Sequence, residues 1–250
     1  LQHPLSWMHG LPTGERPGWN KSLWFNFEIS NGNVWNAPLT MIDKRNGNQY
    51  EYTADFEQNN AYLELGGALS KFWALSIEVP VAERSGGVMD SVIDDFHVLI
   101  NNFRFNRQNY PKNRNIFSVK TNNVEYYTND DLGGGIGNLK LKLKWWFLQW
   151  FGFDEGSCPC GISVSSQTKF PVQDKKYSNT TDGIDQSLLL HIGVPIFNSS
   201  ALWFTGSYTW LSETPAMKGW PRYNYVQTYE LNADIGLNDK WGLLLGVRAE

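Results

Sequence analysis

The sequence has very few cysteines and no long apolar run. Only Cys158 and Cys160 are cysteine among the 250 residues. A disulfide across one intervening residue is strained, and two thiols make an incomplete metal site. A strained disulfide in an oxidising compartment and two free thiols therefore both remain open, and neither indicates a function. Membrane-spanning helices need about 20 consecutive apolar residues. The sequence has no apolar run of that length, which excludes helical spans.

The sequence also lacks a strong charge of either sign. A formal net charge of -4 excludes a polybasic nucleic-acid-binding protein, so no nucleic-acid partner is expected. No signal peptide begins at Leu1, so the numbering is expected to start at or near a mature N-terminus. Aromatic residues, by contrast, make up 15% of the chain. They suit a carbohydrate-binding surface in a soluble protein or the interfacial belt of a membrane barrel.

The clearest pattern is NLKLKLKWWFLQWF, from Asn138 to Phe151. Apolar residues at odd positions alternate with Asn138 and three lysines, and this period of two predicts a β-strand with one apolar and one polar face. Similar alternation recurs along the chain and gives roughly nine strands in all. The other stretches are Leu23–Ile29, Leu63–Leu69, Trp73–Val81, Ile162–Phe170, Leu188–Val194, Leu202–Trp210, Tyr229–Ile235 and Trp241–Val247. Pro80 is expected to interrupt the hydrogen bonding of its strand locally.

The predicted connections alternate between long and short. The long ones are Asn31–Asn48, Glu83–Gly135, Pro171–Gly183 and Ser212–Tyr225. The short ones are Ser70–Phe72, Phe151–Gly161, Asn198–Ser200 and Asn238–Lys240. Bacterial outer-membrane barrels have short periplasmic turns and long extracellular loops, and a sandwich has no reason to keep this parity. Residues 1–20 are therefore expected to form an irregular periplasmic segment, and residues 83–135 a long extracellular or plug excursion.

These patterns predict one all-β domain over residues 1–250, an antiparallel transmembrane β-barrel in the outer membrane of a Gram-negative bacterium. Single-chain bacterial barrels have even strand numbers, so we expect about 10 to 12 strands in the complete protein. Either C-terminal strands are missing from this sequence, or the long excursion hides one or more.

The excursion also predicts one amphipathic helix, at about Val88 to Phe103, with apolar residues at helical spacing. Its polar residues are candidates for a gate or plug: Asp90, Ser91, Asp94, Asp95 and His97. A catalytic Ser-His-Asp set is disfavoured because Ser91 and His97 are six residues apart and do not share a helix face. The carboxylates could bind Ca²⁺, but a capped, solvated helix start is favoured, and no metal site or cofactor is expected.

The strand phases place a balanced set of charges on the interior face. The acids are Glu28, Glu64, Glu78, Glu230 and Asp234; the bases are Lys140, Lys142, Lys144, Lys169 and Arg248. In a narrow barrel such a set favours salt bridges that fill the lumen over a conducting pore, since small barrels are filled by their own side chains. The lysine row remains the best candidate for attracting anions. His191, also on the interior face, is interpreted as packed and not catalytic.

Several short motifs resemble those of one bacterial family. They are His9-Gly10-Leu11-Pro12, Ile77-Glu78-Val79-Pro80, Ser85-Gly86-Gly87, the run from Asp90 to His97, and the glycine-rich run from Leu132 to Gly137. Along most of its length the sequence is similar to the uncharacterised outer-membrane family catalogued as domain-of-unknown-function 3187. The resemblance implies the barrel fold and additional C-terminal strands, and it implies no activity.

The leading functional hypothesis is a non-enzymatic, porin-like outer-membrane barrel that passes or binds a small solute through a narrow or plugged lumen. The alternative is a closed structural barrel whose wall or loops pack against other outer-membrane proteins or a second copy. An outer-membrane hydrolase using the acidic helix is a weaker third hypothesis. Outer-membrane lipids are the partners expected in every case.

Overall fold

A computed structural model describes most of the chain. The described residues are 23–42, 44, 46–86, 89–99, 109–129, 133–147, 161–172, 183–197, 200–212, 224–236 and 242–249. The predictions for the N-terminal segment and for Cys158 and Cys160 lie outside these residues.

The described residues form twelve strands of one antiparallel sheet and one helix. The strands are β1 Leu23–Ile42, β2 Gln49–Ala68, β3 Trp73–Ser85, β4 Ile116–Thr121, β5 Val124–Asn129, β6 Gly133–Ile136, β7 Leu139–Trp146, β8 Gly161–Phe170, β9 Asp185–Phe197, β10 Ser200–Trp210, β11 Tyr225–Gly236 and β12 Gly242–Ala249. The helix, α1, runs from Met89 to Leu99.

The main sheet is a meander in which each long strand pairs with the next one along the chain. Its order is β1-β2-β3-β7-β8-β9-β10-β11-β12, and the sheet curls into a half-barrel. These nine strands correspond to the nine alternating stretches of the sequence. β6 continues the line of β7 beside β3, and β4 occupies the position beyond the end of β3, beside β2. The predicted all-β antiparallel fold is confirmed at this level, and the long excursion does contain further strands.

The prediction of a loop from Asn31 to Asn48 is wrong. β1 continues to Ile42 and remains paired with β2 along this length, with one register shift after Asn36. The Asn31 side-chain amide donates to Glu57 Oε1 at 2.7 Å and to Asn59 Oδ1 at 2.6 Å. Asn31-Gly32 resembles a turn signal locally, but the backbone of β2 supplies strand partners there. The tertiary pairing therefore overrides the local turn preference.

The turn lies instead at the second Asn-Gly pair. Gly47 has a φ of 72°, which a residue without a Cβ adopts at little cost. The Asn46 side-chain oxygen accepts a hydrogen bond from the backbone N–H of Asn48 at 2.9 Å, the Asx geometry that stabilises such turns.

Pro80 interrupts the hydrogen bonding of β3 only on the edge that faces β6 and β7. On the edge that faces β2, Pro80 stays in register with Tyr62. On the interrupted edge, the partner of β3 is divided into two strands, β6 and β7. Between these two strands, the Gly137 N–H donates to the Pro80 carbonyl at 2.6 Å. Proline lacks the N–H that would continue this ladder, so the predicted interruption is confirmed on that edge.

Burial alternates along the strands and defines two faces. In β7 the side chains of Lys140, Lys142 and Lys144 are buried, whereas Leu141 and Leu143 are more than one-third exposed. Because the sheet curls, the buried face is the concave face and the exposed face is the convex face. The predicted phase of β7 is confirmed, with its charges inside the curl.

Gly66 makes room for Trp24 on the concave face. The two residues are directly paired across β1 and β2, and a Cβ at Gly66 would overlap the Trp24 indole ring and crowd Ser76. Gly66→Ala is expected to lower the free energy of unfolding by about 1–3 kcal/mol through overpacking, measured by denaturant titration. Gly32→Ala is the matched control, because no atom lies within 4 Å of the added Cβ. Equal effects at the two glycines would contradict this account.

Candidate functional site on the concave face

A row of charged residues crosses the concave face. Register pairs Glu64 of β2 with Glu78 of β3, Glu78 with Lys140 of β7, Lys140 with Lys169 of β8, and Lys169 with Asp185 of β9. Directly opposed residues of neighbouring strands have Cβ atoms about 4.5–5.5 Å apart. The row therefore places two like-charged pairs side by side, Glu64 with Glu78 and Lys140 with Lys169.

Ion pairs between neighbouring strands compensate these like charges. Lys140 Nζ lies 2.7 Å from Glu78 Oε1, and Lys169 Nζ lies 2.5 Å from Asp185 Oδ2. Lys169 and Asp185 are the most deeply buried of these, with side chains 3% and 2% exposed. Asp185 Oδ1 also accepts hydrogen bonds from the Ser212 N–H at 2.7 Å and from its hydroxyl at 2.5 Å. This carboxylate is thus held by one cation and two neutral donors.

Lys142 and Lys144 continue the lysine row towards the other end of β7. Lys142 Nζ lies 3.9 Å from Glu64 Oε1, a longer ion pair than the two above. Lys140 Nζ also lies 5.6 Å from the centre of the Tyr62 ring, within the range of a cation–π contact. Of the predicted anion-attracting lysines, Lys140 and Lys142 therefore have acidic neighbours, and Lys140 has an aromatic neighbour as well.

A second row contains His191, whose ring is fully buried. Its Nε2 lies 2.6 Å from Ser165 Oγ, and its Nδ1 lies 3.0 Å from Thr205 Oγ1. A hydroxyl beside an imidazole resembles the nucleophile and base of a hydrolase, in which a third group orients the base. Here the third group is a neutral hydroxyl, and Ser165 is also fully buried. The arrangement satisfies a buried histidine and offers no access to a substrate.

The remaining predicted interior charges lie towards the open edges of the sheet. Arg248 Nη1 of β12 lies 3.1 Å from Glu230 Oε1 of β11, and the two residues are directly paired. Glu28 is on edge strand β1 and is exposed. Asp234 pairs through its backbone with Ala201, and its side chain lies outside the described set.

The structure separates the predicted gate residues from this face. Asp90 and Asp94 of α1 are buried, whereas Ser91 and Asp95 are exposed. Asp90 Oδ2 accepts a hydrogen bond from the Asn113 N–H at 2.7 Å, and Asp94 Oδ2 lies 3.0 Å from Lys112 Nζ. The backbone of His97 is helical, and its side chain lies outside the described set. These contacts anchor the helix; gating remains a prediction.

Sequence reasoning missed Asp185, Ser165 and Thr205 as partners in the interior network. Asp185 has the same parity as Ser187 and His191, so extending the predicted Leu188–Val194 strand by three residues would have placed it on the interior face. Ser165 has the same parity as Lys169 and lies on that face, but its contact with His191 depends on the register between β8 and β9. Nothing in the local sequence fixes that register.

Two further observations concern the described part of the chain. Its one helix is neither long nor apolar enough to span a membrane. Within the same residues, no three His, Cys, Asp or Glu side chains come together as a metal ion would require.

A family model described as "Protein of unknown function (DUF3187)" matches residues 16–212. This is well over half of the chain, and the chain therefore belongs to that family. The family predicted from the motifs is confirmed, whereas its outer-membrane character stays a prediction. Neither the curated proteins nor the solved structures compared with the chain give a match.

Proposed function

We propose that this member of the family forms the wall of an outer-membrane β-barrel whose interior is closed by its own ion pairs, and that its role lies in contacts made by its wall and loops. The observation that carries the proposal is the distribution of polarity over the sheet. The buried concave face is polar and charged, whereas the exposed convex face is apolar. A soluble protein with a single-layer sheet would place its apolar face inside.

The convex face has the dimensions of a membrane-spanning wall. On β3 its apolar positions run from Trp73 to Val81, about 26 Å along the strand at 3.3 Å per residue. Strands of outer-membrane barrels are tilted, and the nine residues from Trp73 to Val81 match the length of about 9–11 residues of a tilted membrane-spanning strand. Exposed apolar side chains occupy the same face on both edge strands, for example Phe25 of β1 and Leu245 of β12, which are 68% and 52% exposed.

Aromatic clusters lie at opposite ends of the convex face. Trp73 and Trp145 stack with ring centres 5.8 Å apart, close to the turn between β2 and β3. Tyr208 contacts Trp210 and Tyr225 with ring centres 4.7 and 4.9 Å apart, at the far end of β10. Aromatic girdles at both interfaces are typical of outer-membrane barrels, and amphipathic rings are favoured at the headgroup level. These positions support insertion across a bilayer.

The ion pairs on the concave face support a closed interior. A pore that selects ions needs charges that face water, whereas Lys140, Lys142, Lys144 and Lys169 are all at least nine-tenths buried. Paired buried charges fill space and hold neighbouring strands in register. We therefore favour a closed interior over a barrel that passes a solute, which was the leading hypothesis from the sequence.

A second candidate function is supported by the row of lysines on β7. Lys140, Lys142 and Lys144 share the concave face of one strand, and such a row of cations attracts anions. The wall would then bind or pass an anionic solute along the row of Lys140, Lys142 and Lys144.

Single-channel recording in planar bilayers separates these two functions. The folded protein is expected to show no steady conductance, because its interior charges are buried and paired. Steady anion-selective conductance that loses selectivity in Lys142→Gln would contradict the closed interior and establish the second candidate. Heat-modifiable gel mobility provides the folding control for both proteins, and Lys120→Gln, on the β4 strand beyond the apolar band, is the matched charge control.

A further inference from the structure

We infer that α1 is an interfacial helix that rests its exposed apolar stripe on the lipid surface beside the wall. The inference rests on the proposed membrane insertion and extends it to a specific lipid contact outside the sheet.

The helix packs against the protein through its polar side. Asp90 and Asp94 are buried and contact the segment before β4, as described above. At the helix start, the Met89 N–H donates to Glu57 Oε2 at 3.0 Å. An amphipathic helix on a globular protein normally buries its apolar stripe, so this orientation is reversed.

The apolar side of the helix is exposed. Val92, Phe96 and Leu99 are 57%, 55% and 82% exposed. At about 100° per residue, these three residues lie roughly 180–240° around the helix from Asp90. They therefore form one stripe on the side opposite the anchoring carboxylates.

The helix is anchored on the convex face of the wall. The β2–β3 register runs without a shift from Glu57 to Ala68. Glu57 therefore has the same parity as Leu63 and Leu65 and points to the same face. Leu63 and Leu65 are exposed on that face, which is the face proposed to contact lipid.

The anchor lies just beyond the edge of the apolar band. Ile29, Ala61, Val81 and Ile136 are paired in one row across β1, β2, β3 and β6, and they are the last apolar row on the convex face. Glu57 lies four residues further along β2, about 13 Å at 3.3 Å per residue. The helix start is thus at the height of the headgroup region, where interfacial helices bury an apolar face about 5–10 Å deep.

Lipid is the occupant that this position favours. One polar row, formed by Asn31, Asn59 and Glu83, separates the last apolar row from the Glu57 anchor. The helix α1 carries acidic residues and no lysine or arginine. Attraction to anionic headgroups is therefore not expected, and binding should depend on apolar area. The contact should be no stronger with anionic than with zwitterionic lipids.

Site-specific labels on the full chain test this contact. An environment-sensitive fluorophore is attached to Phe96→Cys, in a background where Cys158 and Cys160 are replaced by serine. The protein is reconstituted in phosphatidylcholine vesicles with and without brominated acyl chains. The Phe96 label is expected to be quenched severalfold more by brominated lipid than a label at Ser91→Cys, an exposed position on another side of the same helix. Iodide in the aqueous phase is expected to quench the Ser91 label more strongly than the Phe96 label.

A third label, at Leu75→Cys inside the convex band, separates the two proposals. Lipid quenching at Leu75 together with iodide quenching at Phe96 would overturn the interfacial helix and leave the membrane wall intact. No lipid quenching at Leu75 would overturn the wall itself. The Phe96 label could instead be protected from both quenchers, with protection that increases with protein density in the vesicle. That result would identify a second copy as the occupant and overturn the lipid contact.

Discussion

Asp185→Asn is expected to lower the free energy of unfolding by about 3–5 kcal/mol, because it removes a negative charge that lies against a buried lysine. Lys169 Nζ lies 2.5 Å from Asp185 Oδ2, and both side chains are almost fully buried. The asparagine keeps an oxygen for the Ser212 donors but loses the charge that balances the ammonium group. Denaturant titration of the refolded protein in detergent micelles measures the loss.

The exposed pair between Lys120 and Glu51 provides the matched control. Its atoms are 3.6 Å apart and its side chains are 39% and 28% exposed. Glu51→Gln is expected to cost less than about 1 kcal/mol, since exposed ion pairs contribute little. The double variant Lys169→Met with Asp185→Leu is expected to recover most of the loss, because an apolar pair of similar volume removes both desolvated charges. Similar losses in Asp185→Asn and Glu51→Gln would show that burial of the pair has no energetic consequence.

Ile77→Arg is expected to destabilise the protein by about 2–4 kcal/mol in lipid vesicles, the cost of a cation at the middle of the lipid-facing wall. Ile77 lies on the convex face in the middle of the β3 band and is 39% exposed. On a water-exposed surface the same change would alter stability by about 0.5 kcal/mol or less. The size of the effect therefore reports whether lipid or water covers this face.

Ile42→Arg is the control for this substitution. Ile42 is 66% exposed at the end of β1, in the hairpin arm that extends past the last apolar row. We expect a change within about 0.5 kcal/mol there, since this arm lies in water if the wall spans the membrane. Urea-dependent folding into vesicles measures both variants. Equal, small effects at Ile77 and Ile42 would place the convex face in water and reject the membrane wall.

Much of the candidate site could be predicted from the sequence, because the alternation of side chains along a strand depends only on local sequence. The alternation of Lys140, Lys142 and Lys144 with leucines fixed which side chains share a face. The contacts between side chains of different strands could not be predicted in this way. The pairing of Lys169 with Asp185, for example, depends on the β8–β9 register. For the same reason, the local Asn-Gly signal at Asn31 predicted a loop where β2 supplies a strand partner.

The sequence by itself determined the presence of the nine long strands, the parity of their side chains and the presence of a helix with one apolar and one acidic side. These features follow from backbone periodicity, which is a local property. Only the tertiary structure decided that the lysines are buried against acids from other strands and that α1 turns Asp90 and Asp94 towards the protein. Helical spacing gives the angle between two stripes, but which stripe faces the protein depends on the partners that distant segments bring, here Glu57, Lys112 and the backbone of Asn113.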